Sequence, residues 1–303
     1  MAPPSLLDAN VAYFLAVVEE GGFSAAARRL HLSQPSLSVA VKKLEEELGA
    51  QLLHRGPRGA TVTAAGAVLL ARARDAARSM AAARDEIDGL GREPRGRFVL
   101  GCHESLGTYF LPGFMARFVE RNPKVEIDLT NRNSQEVEAA VVAREIDVGL
   151  VVNPASHPDC VVRELFFDRV GLVAASKLKR KVRSTAKLLA DTPLILVPEL
   201  RQSQAIIGEL EGRGLQTGRQ IRCSSMELVK SLVLDGAGVG ILPHRVATHG
   251  VAGGRLSPLG SAMPTYDDRI TLVWRGDHPM TVGLRTLLDA LLAHGKAFPP
   301  LPH

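Results

Sequence analysis

The sequence predicts an α + α/β protein, with a helical region at the N-terminus and a longer α/β region after it. Three observations support this prediction. Residues 24–48 read as two short helices joined by a turn, residues 69–90 carry an apolar stripe at helical spacing, and from Phe98 onward apolar strand-like runs alternate with helical segments. These periodicities are the main sequence signals of the two fold classes.

The N-terminal region begins with a helix that we predict over residues 6–20 and that two glycines end. An alanine-rich second helix begins at Ser24, whose hydroxyl can cap its free amides. Ser33 caps the third helix, and Pro35 lies in its first turn, where a missing N–H removes little. The apolar face of this third helix comprises Leu37, Val41, Leu44 and Leu48.

The polar side of the third helix suits the major groove of DNA, since it carries hydroxyls, an amide and two lysines. An ordinary amphipathic helical hairpin would show the same periodicity. Residues 51–63 decide between the two, because Arg55 and Arg58 lie on a Gly/Pro turn between two strand-like pieces and so predict a winged helix-turn-helix. The predicted DNA-binding residues are Ser24, Arg28, Ser33, Gln34, Pro35, Ser36, Ser38, Val39, Lys42, Lys43, Arg55 and Arg58.

The net charge of +5 is no argument for DNA binding, because basic and acidic residues are equal in number over residues 1–93. The prediction rests on the local placement of cations, to which Arg29 also contributes. The acidic residues 45–47 lie at the far end of the recognition helix, away from its groove-facing N-terminus.

Composition excludes other classes of protein. With 46% hydrophobic and 23% charged residues the chain resembles a soluble globular protein, and no apolar run approaches the ~18–20 residues of a membrane span. The N-terminus lacks the features of a secretory signal, so we expect a cytoplasmic protein that does not bind membranes. Cys102, Cys160 and Cys223 lack metal-ligand spacing, and we expect Cys102 and Cys223 to be small buried side chains rather than a redox switch.

A long helix is predicted over residues 63–90, before a glycine- and proline-containing hinge. Its apolar stripe alternates steps of four and three, the 3.5-residue repeat of a two-helix coiled coil. A surface helix packed on its own domain is the alternative. The stripe comprises Leu69, Ala73, Ala76, Met80, Ala83, Ile87 and Leu90.

The remaining chain alternates strands and helices, which indicates a largely parallel sheet. The predicted strands are residues 98–102, 125–130, 148–152, 170–175, 194–197, 221–223, 239–242 and 270–274. The predicted helices are residues 103–121, 135–144, 185–190, 203–213, 226–235 and 282–296.

Residues 24–66 resemble the N-terminal domain of LysR-type transcriptional regulators. The matching pieces F-S-A-A-A-R-R-L, L-S-Q-P-S-L-S, K-K-L-E-E-E-L-G, L-L-H-R and V-T-A-A-G agree in order and spacing without gaps, and a weaker resemblance covers nearly the whole chain. It implies a C-terminal domain of two α/β subdomains, like a periplasmic binding protein. The implied boundaries are 1–62 for the winged helix-turn-helix, 63–91 for the linker and dimerisation helix, and 95–303 for the effector-binding domain, with subdomains at 95–166 plus 268–303 and at 167–267.

The resemblance also implies partners. It predicts a homodimer or homotetramer that binds double-stranded promoter DNA and a small-molecule effector, with RNA polymerase as a candidate partner. It predicts neither a cofactor nor a metal nor an enzymatic activity. Two alternatives stay open: a C-terminal domain that only oligomerises, and an enzyme on an α/β scaffold, for which the sequence lacks an assembled acid, base or nucleophile.

The effector is expected at the carboxyl ends of the strands, against helix N-termini. Hydroxyls and amides there suit a carboxylate or another polar metabolite, although each serine could be a helix cap. Glu104 is an exception, so either its side chain points away or the effector carries a donor or a cation. The predicted effector-binding residues are His103, Glu104, Ser105, Asn133, Ser134, Arg201, Gln202, Ser203, Ser224 and Ser225.

Overall fold

The computed structural model describes residues 8–56, 59–88, 93–182, 184–251 and 253–299. It divides into two compact units, Met1–Pro94 with Pro279–Val282, and Arg95–His278 with Gly283–His303. Within the described ranges, no helix combines the length and the hydrophobicity that a membrane crossing requires.

The first unit contains a helix-turn-helix, a two-stranded hairpin and a long helix. Its elements are α1 (Ala9–Glu19), α2 (Phe23–Leu30), α3 (Gln34–Leu48), β1 (Leu53–Gly56), β2 (Gly59–Val62) and α4 (Ala64–Asp88). Phe14, Leu37 and Val41 are fully buried in one core with Leu52 and Leu53, so α1, α3 and the hairpin share an apolar interior. This is the winged helix-turn-helix that the sequence predicts.

Two local predictions in this unit are wrong. Ser24 does not cap α2, because the carbonyl of Gly22 already accepts the first helical bond from the N–H of Ala26 and the helix starts at Phe23. Ser24 therefore lies exposed within the first turn. Leu48 is 51% exposed, since α3 ends there and the chain turns away at Gly49 in the left-handed region.

Helix α4 begins behind Thr63, whose Oγ1 accepts a hydrogen bond from the N–H of Gly66 at 3.0 Å. The first part of its stripe packs on its own unit, with Ala73 buried. Farther along, Met80 is 42% and Ile87 is 71% exposed. The coiled-coil interpretation of this part of α4 stays a prediction, and Leu90 lies outside the described residues.

The second unit is built on one nine-stranded sheet in the order β4-β3-β5-β11-β6-β9-β7-β8, with β10 paired to β6. The strands are β3 (Gly96–Cys102), β4 (Val125–Asn131), β5 (Val148–Val152), β6 (Cys160–Ala175), β7 (Leu194–Leu196), β8 (Gln220–Arg222), β9 (Val239–Pro243), β10 (Leu256–Pro258) and β11 (Tyr266–Arg275). The helices are α5 (Glu104–Tyr109), α6 (Leu111–Arg121), α7 (Ser134–Val142), α8 (Ser176–Lys179), α9 (Thr185–Asp191), α10 (Arg201–Gly212), α11 (Met226–Asp235), α12 (His244–Thr248) and α13 (Val282–Lys296).

Two long antiparallel strands connect the halves of this sheet. Strand β6 pairs with β11 over Cys160–Val170 and continues along β9 from Val170 onward. Separate cores lie on the two sides, one around Phe98 and Leu284 and another around Leu172 and Leu194. The predicted two-subdomain α/β fold class is therefore confirmed, and a bulge between Ile270 and Thr271 bends the connection.

Several element boundaries differ from the prediction. The helix predicted after residue 102 is two helices, because Pro112 opens a new first turn in α6. The N-terminal half of β6 was missed, since charged residues such as Arg163 and Glu164 interrupt its apolar pattern. Helices α8 and α12 and strand β10 were missed because each has only three to five residues.

Candidate functional site

The N-terminus of α3 forms a pre-ordered polar surface. Ser33 caps the helix, since its Oγ accepts from the N–H of Ser36 at 3.2 Å and lies 2.7 Å from the Ser36 Oγ. Gln34 and Pro35 are exposed in the first turn, and Val39 is 67% exposed one turn farther along. An exposed apolar Val39 beside polar side chains fits contact with a thymine methyl.

The cations around α3 differ in how firmly they are held. Lys42 and Lys43 form exposed pairs one turn along the helix, at 3.4 Å to Glu46 and 3.9 Å to Glu47. Such pairs contribute about 0.3–0.5 kcal/mol, so both lysines are available to phosphates. Arg28 is exposed as well.

Two arginines are engaged within the unit itself. The Nη1 of Arg29 lies 2.8 Å from Glu19 and 3.0 Å from Glu20, and these pairs raise its pKa. The Nη1 of Arg55 donates to Ser38 Oγ at 2.7 Å and its Nη2 lies 3.3 Å from Glu45. Arg55 therefore joins β1 to α3 instead of lying in the turn, and Arg58 lies outside the described residues.

Glu45 holds this junction together from α3. Its Oε1 accepts from the backbone N–H groups of Leu52 and Leu53, at 2.8 and 3.2 Å, while its Oε2 faces Arg55. The guanidinium of Arg55 also lies 4.8 Å from the centroid of the Phe23 ring. Glu45 and Arg55 thus set the position of the hairpin relative to the recognition helix.

In the second unit, a cavity of about 740 Å³ opens between the two subdomains. It lies where the carboxyl ends of the strands face helix N-termini, as the sequence predicts for a ligand site. Six of the predicted residues line it: His103, Ser105, Asn133, Ser134, Arg201 and Gln202.

Four predicted residues do not line the cavity: Glu104, Ser203, Ser224 and Ser225. Ser225 caps α11 and its Oγ donates to Glu104 Oε2 at 3.0 Å, so the Glu104 charge is directed away from the cavity. Ser203 is only 1% exposed because it lies inside the first turn of α10, which starts two residues earlier than predicted.

The polar residues that do line the cavity also make local bonds. Asn133 caps α7 in a reciprocal pair with Glu136, and Ser134 Oγ accepts from the N–H of Val152 at 3.1 Å. His103 Nδ1 lies 3.0 Å from Ser105 Oγ, and burial lowers the pKa of His103. The residues that both cap a helix and line the cavity are therefore His103 and Asn133, whereas Ser105 and Ser134 lie inside the helices that these residues cap.

Among the cavity residues that were not predicted, Asn153, Asp168 and Asp268 form one cluster. Asp168 and Asp268 are directly opposite on β6 and β11, and they are only 1% and 3% exposed. Asn153 Nδ2 donates to Asp268 Oδ1 at 2.9 Å, and Gln202 Nε2 donates to Asp268 Oδ2 at 3.1 Å. The register of β6 and β11 places these two charged side chains opposite each other, and only that register would have revealed them. We call this paired position of the two strands the crossing of β6 and β11.

The two aspartates titrate far above their ordinary range. Burial is the main cause, and it raises the pKa of Asp168 to about 6 and that of Asp268 to about 7. The charge of Asp168 raises the pKa of Asp268 further, whereas the amides of Asn153 and Gln202 lower it. Near neutral pH, both aspartates are therefore partly protonated. We call this pair of aspartates the cavity floor.

Neither the buried cysteines nor the potential metal ligands indicate a second reactive site among the described residues. Cys102 and Cys223 are buried, and burial raises the pKa of both thiols, to about 11 for Cys102, which opposes formation of a reactive thiolate. Among the described residues, no group of three or more His, Cys, Asp or Glu side chains is placed to hold a metal ion.

A winged helix-turn-helix joined to a two-subdomain domain with a ligand-sized cavity defines a ligand-responsive DNA-binding protein. Family models agree, since one described as LysR substrate binding domain matches residues 91–296 and another, described as bacterial regulatory helix-turn-helix protein, lysR family, matches residues 9–67. The chain belongs to the LysR family and is a DNA-binding transcriptional regulator with an effector-binding domain.

Curated relatives match over nearly full length. The transcriptional regulator CrgA of Neisseria meningitidis serogroup B is 29% identical, over 92% of this chain and 94% of its own. The transcriptional regulator ClcR of Pseudomonas putida is 30% identical, over 92% and 96%. Both are regulators with a helix-turn-helix name, in agreement with the family.

Solved full-length structures share the fold. ArgP of Mycobacterium tuberculosis matches with a TM-score of 0.73 at 20% identity, over 98% of this chain and 100% of that one. CbnR in complex with its target DNA matches at 0.64 and 23%, over 95% and 98%. LysG of Corynebacterium glutamicum with bound effector Arg matches at 0.65 and 20%, over 94% and 96%.

Proposed function

We propose that a small-molecule effector binds in the cavity between the two subdomains and changes how the α3 helices of an oligomer engage operator DNA. The observation that carries this proposal is the cavity itself, about 740 Å³ at the strand ends, lined by six of the ten predicted residues. LysG with its bound effector Arg and CbnR with its target DNA show both kinds of partner in proteins of this fold.

On the DNA side, we propose that different residues of α3 contact bases and phosphates. Gln34, Ser36 and Val39 face base edges, while Lys42 and Lys43 contact phosphates. Ser33 and Pro35 order the first turn, and Ser24 and Arg28 belong to the phosphate-contacting set. Ser38 and Arg55 position the hairpin through their 2.7 Å hydrogen bond, and Arg58 stays a prediction.

We propose that the chain oligomerises through α4. Its exposed Met80 and Ile87 continue the 3.5-residue stripe and support pairing of two chains, which would present two α3 helices to a two-fold symmetric site. The proposed domain boundaries are 1–62, 63–91 and 95–303. We further propose a cytoplasmic, non-catalytic protein; RNA polymerase stays a predicted partner.

Fluorescence anisotropy with DNA from upstream of the chain's own coding sequence tests the DNA half of the proposal. The double variant Lys42→Ala/Lys43→Ala should bind this DNA more weakly, with a salt slope lower by about 2. Glu120→Ala, on an exposed position of α6 in the other unit, serves as the control. Absence of binding at low salt by the wild-type chain contradicts the proposal.

A thermal-shift screen across metabolite classes tests the effector half, because a ligand of the native state raises Tm with concentration. Ala139 lies exposed on α7 in the cavity wall, so Ala139→Phe should narrow the cavity and abolish the shift. A Tm shift that persists in Ala139→Phe would place the ligand elsewhere.

A further inference from the structure

We propose that the effector carries an organic cation, a protonated amine or an amidinium, which binds to Asp268 and Asp168 at the crossing of β6 and β11. This inference rests on the proposed function, in which the cavity is the effector site. Among the classes that the sequence leaves open, a carboxylate, another polar metabolite, or a molecule with a donor or a cation, it selects the cation.

The first support is the charge of the cavity wall. Four carboxylates line it, those of Glu138, Asp168, Glu199 and Asp268. Arg201 is the single lysine or arginine among the described lining residues, and its charge acts on Glu138. The local field therefore favours a cation over an anion.

The second support is that Asp268 is buried with neutral partners alone. Its two oxygens accept from the amides of Asn153 and Gln202, and no described cation lies within ion-pair distance of it. A carboxylate that is 3% exposed is costly to ionise unless a cation pairs with it. A ligand cation would provide that pairing.

The guanidinium of Arg245, whose charge acts on Asp168, has other partners. Arg245 acts electrostatically on Asp168, but its guanidinium lies over the rings of Phe166 and Phe298, at 5.0 and 4.5 Å. Its Nη2 donates to the carbonyl of Pro299 at 2.7 Å. Among the described residues, the groups that donate to Asp168 are backbone N–H groups, those of Arg169 at 2.8 Å, Arg245 at 3.4 Å and His244.

The geometry suits one cationic head group. Residues directly opposite on antiparallel strands have Cβ atoms about 5 Å apart, so a single ammonium, with three donors, can contact both carboxylates. Each carboxylate keeps acceptor sites beyond those used by the amides. Asn153 is itself anchored, because its Oδ1 accepts from the N–H of Arg269 at 2.9 Å, so the Asp268 side chain is fixed in place.

The rest of the cavity is suited to a hydrocarbon body. Leu106, Val152, Met226 and Ile270 line it. The expected ligand therefore combines an apolar or flexible carbon skeleton with at least one cationic group.

Calorimetric titration of the full-length chain at pH 8 tests the inference with two sets of shape-matched probes. One set is cadaverine, pentane-1,5-diol and glutarate; the other is 4-phenylbutylamine, 4-phenylbutanol and 4-phenylbutyrate. In at least one set the amine should bind at least tenfold more tightly than the alcohol. Asp268→Asn should reduce amine affinity at least tenfold, because it removes the charge and nearly keeps the shape.

Asp267→Asn is the matched control, since Asp267 is the adjacent residue, lies 68% exposed and pairs with Arg169 outside the cavity. The affinity of this variant for the amine should stay within about twofold of the wild-type value. The pH dependence of the wild-type chain is a further test. As the pH falls below about 7, the amine should bind more weakly, and its binding should release a proton, because protonated Asp268 cannot pair with a cation. Alcohol binding should show no such dependence.

A carboxylate that binds as tightly as its matched amine overturns the inference. So do amines that bind in neither set, and amine affinity that Asp268→Asn leaves unchanged. Where binding of any probe is lost in Ala139→Phe, the cavity remains the effector site and only the cation assignment fails. Where binding survives Ala139→Phe, both the cavity as the effector site and the cation assignment fail.

Discussion

Glu45 in the helix-turn-helix unit and Asp268 in the cavity floor are both poorly exposed carboxylates, but their partners differ. Glu45 accepts from two backbone N–H groups and faces the guanidinium of Arg55. Among the described residues, Asp268 accepts from the neutral amides of two side chains and from no cation. A carboxylate whose partners include a cation stabilises the fold, whereas one with neutral partners keeps an unsatisfied charge that a ligand can neutralise.

The largest effect is expected from Glu45→Ala. It leaves the N–H groups of Leu52 and Leu53 without their acceptor and Arg55 without its ion-pair partner, so the free energy of unfolding should fall by about 3 kcal/mol. Urea denaturation measures this, with Glu46→Ala, an exposed partner of Lys42, as the control that stays within about 0.5 kcal/mol. Equal losses in the two variants would remove the distinction drawn for Glu45.

Asp268→Asn should act in the opposite direction. Its pKa is raised to about 7 from 3.8, so ionisation of Asp268 makes the folded state less stable as the pH rises from about 4 to above 7. At pH 8 the variant should therefore be more stable than the wild type by on the order of 2 kcal/mol, and the gain should shrink toward pH 5. Urea titrations at both pH values measure it; a variant less stable at pH 8 would mean that Asp268 holds the fold together.

A smaller effect separates folding from DNA contact at the start of α3. Ser33→Ala removes the side-chain cap and should cost about 1 kcal/mol. Ser33→Asp retains a cap and most of the stability, but it places a negative charge beside the DNA phosphates and should weaken DNA binding. Thermal denaturation and anisotropy on the same samples distinguish the two; full DNA affinity in Ser33→Asp would place α3 away from the backbone.

The smallest effect on stability belongs to Lys42→Ala and Lys43→Ala. Each removes one exposed ion pair and should change the free energy of unfolding by less than about 0.5 kcal/mol. A larger loss of stability would show that these lysines, like Glu45, hold the unit together.

The sequence predicts best where one face of an element is apolar and a cap marks its end. Helices α11 and α13 match their predicted bounds, because Ser225 caps the former and leucines recur at helical spacing in the latter. The N-terminal capping role of Ser33 is likewise confirmed. These features depend on neighbours in the chain, which the sequence displays directly.

The cavity floor escaped prediction because its residues come together only through strand register. Asp168 and Asp268 are 100 positions apart and each lies beside another charged residue, Arg169 or Asp267, so the local pattern does not mark them as buried. Asn153 follows a strand in the left-handed region and gave no separate signal. The hydrogen bonds from Arg55 to Ser38 and Glu45 were missed for the same reason, since these acceptors lie on another element.

The crossing of β6 and β11 also limits how the two subdomains can move. Sliding the strands past each other would break the whole ladder of hydrogen bonds from Cys160 to Val170 together, whereas twisting the ladder about its own axis breaks none. The bulge between Ile270 and Thr271 adds local twist to the same place. Twisting of this ladder, on which Asp168 and Asp268 lie opposite each other, is therefore the relative motion of the two subdomains that keeps its hydrogen bonds.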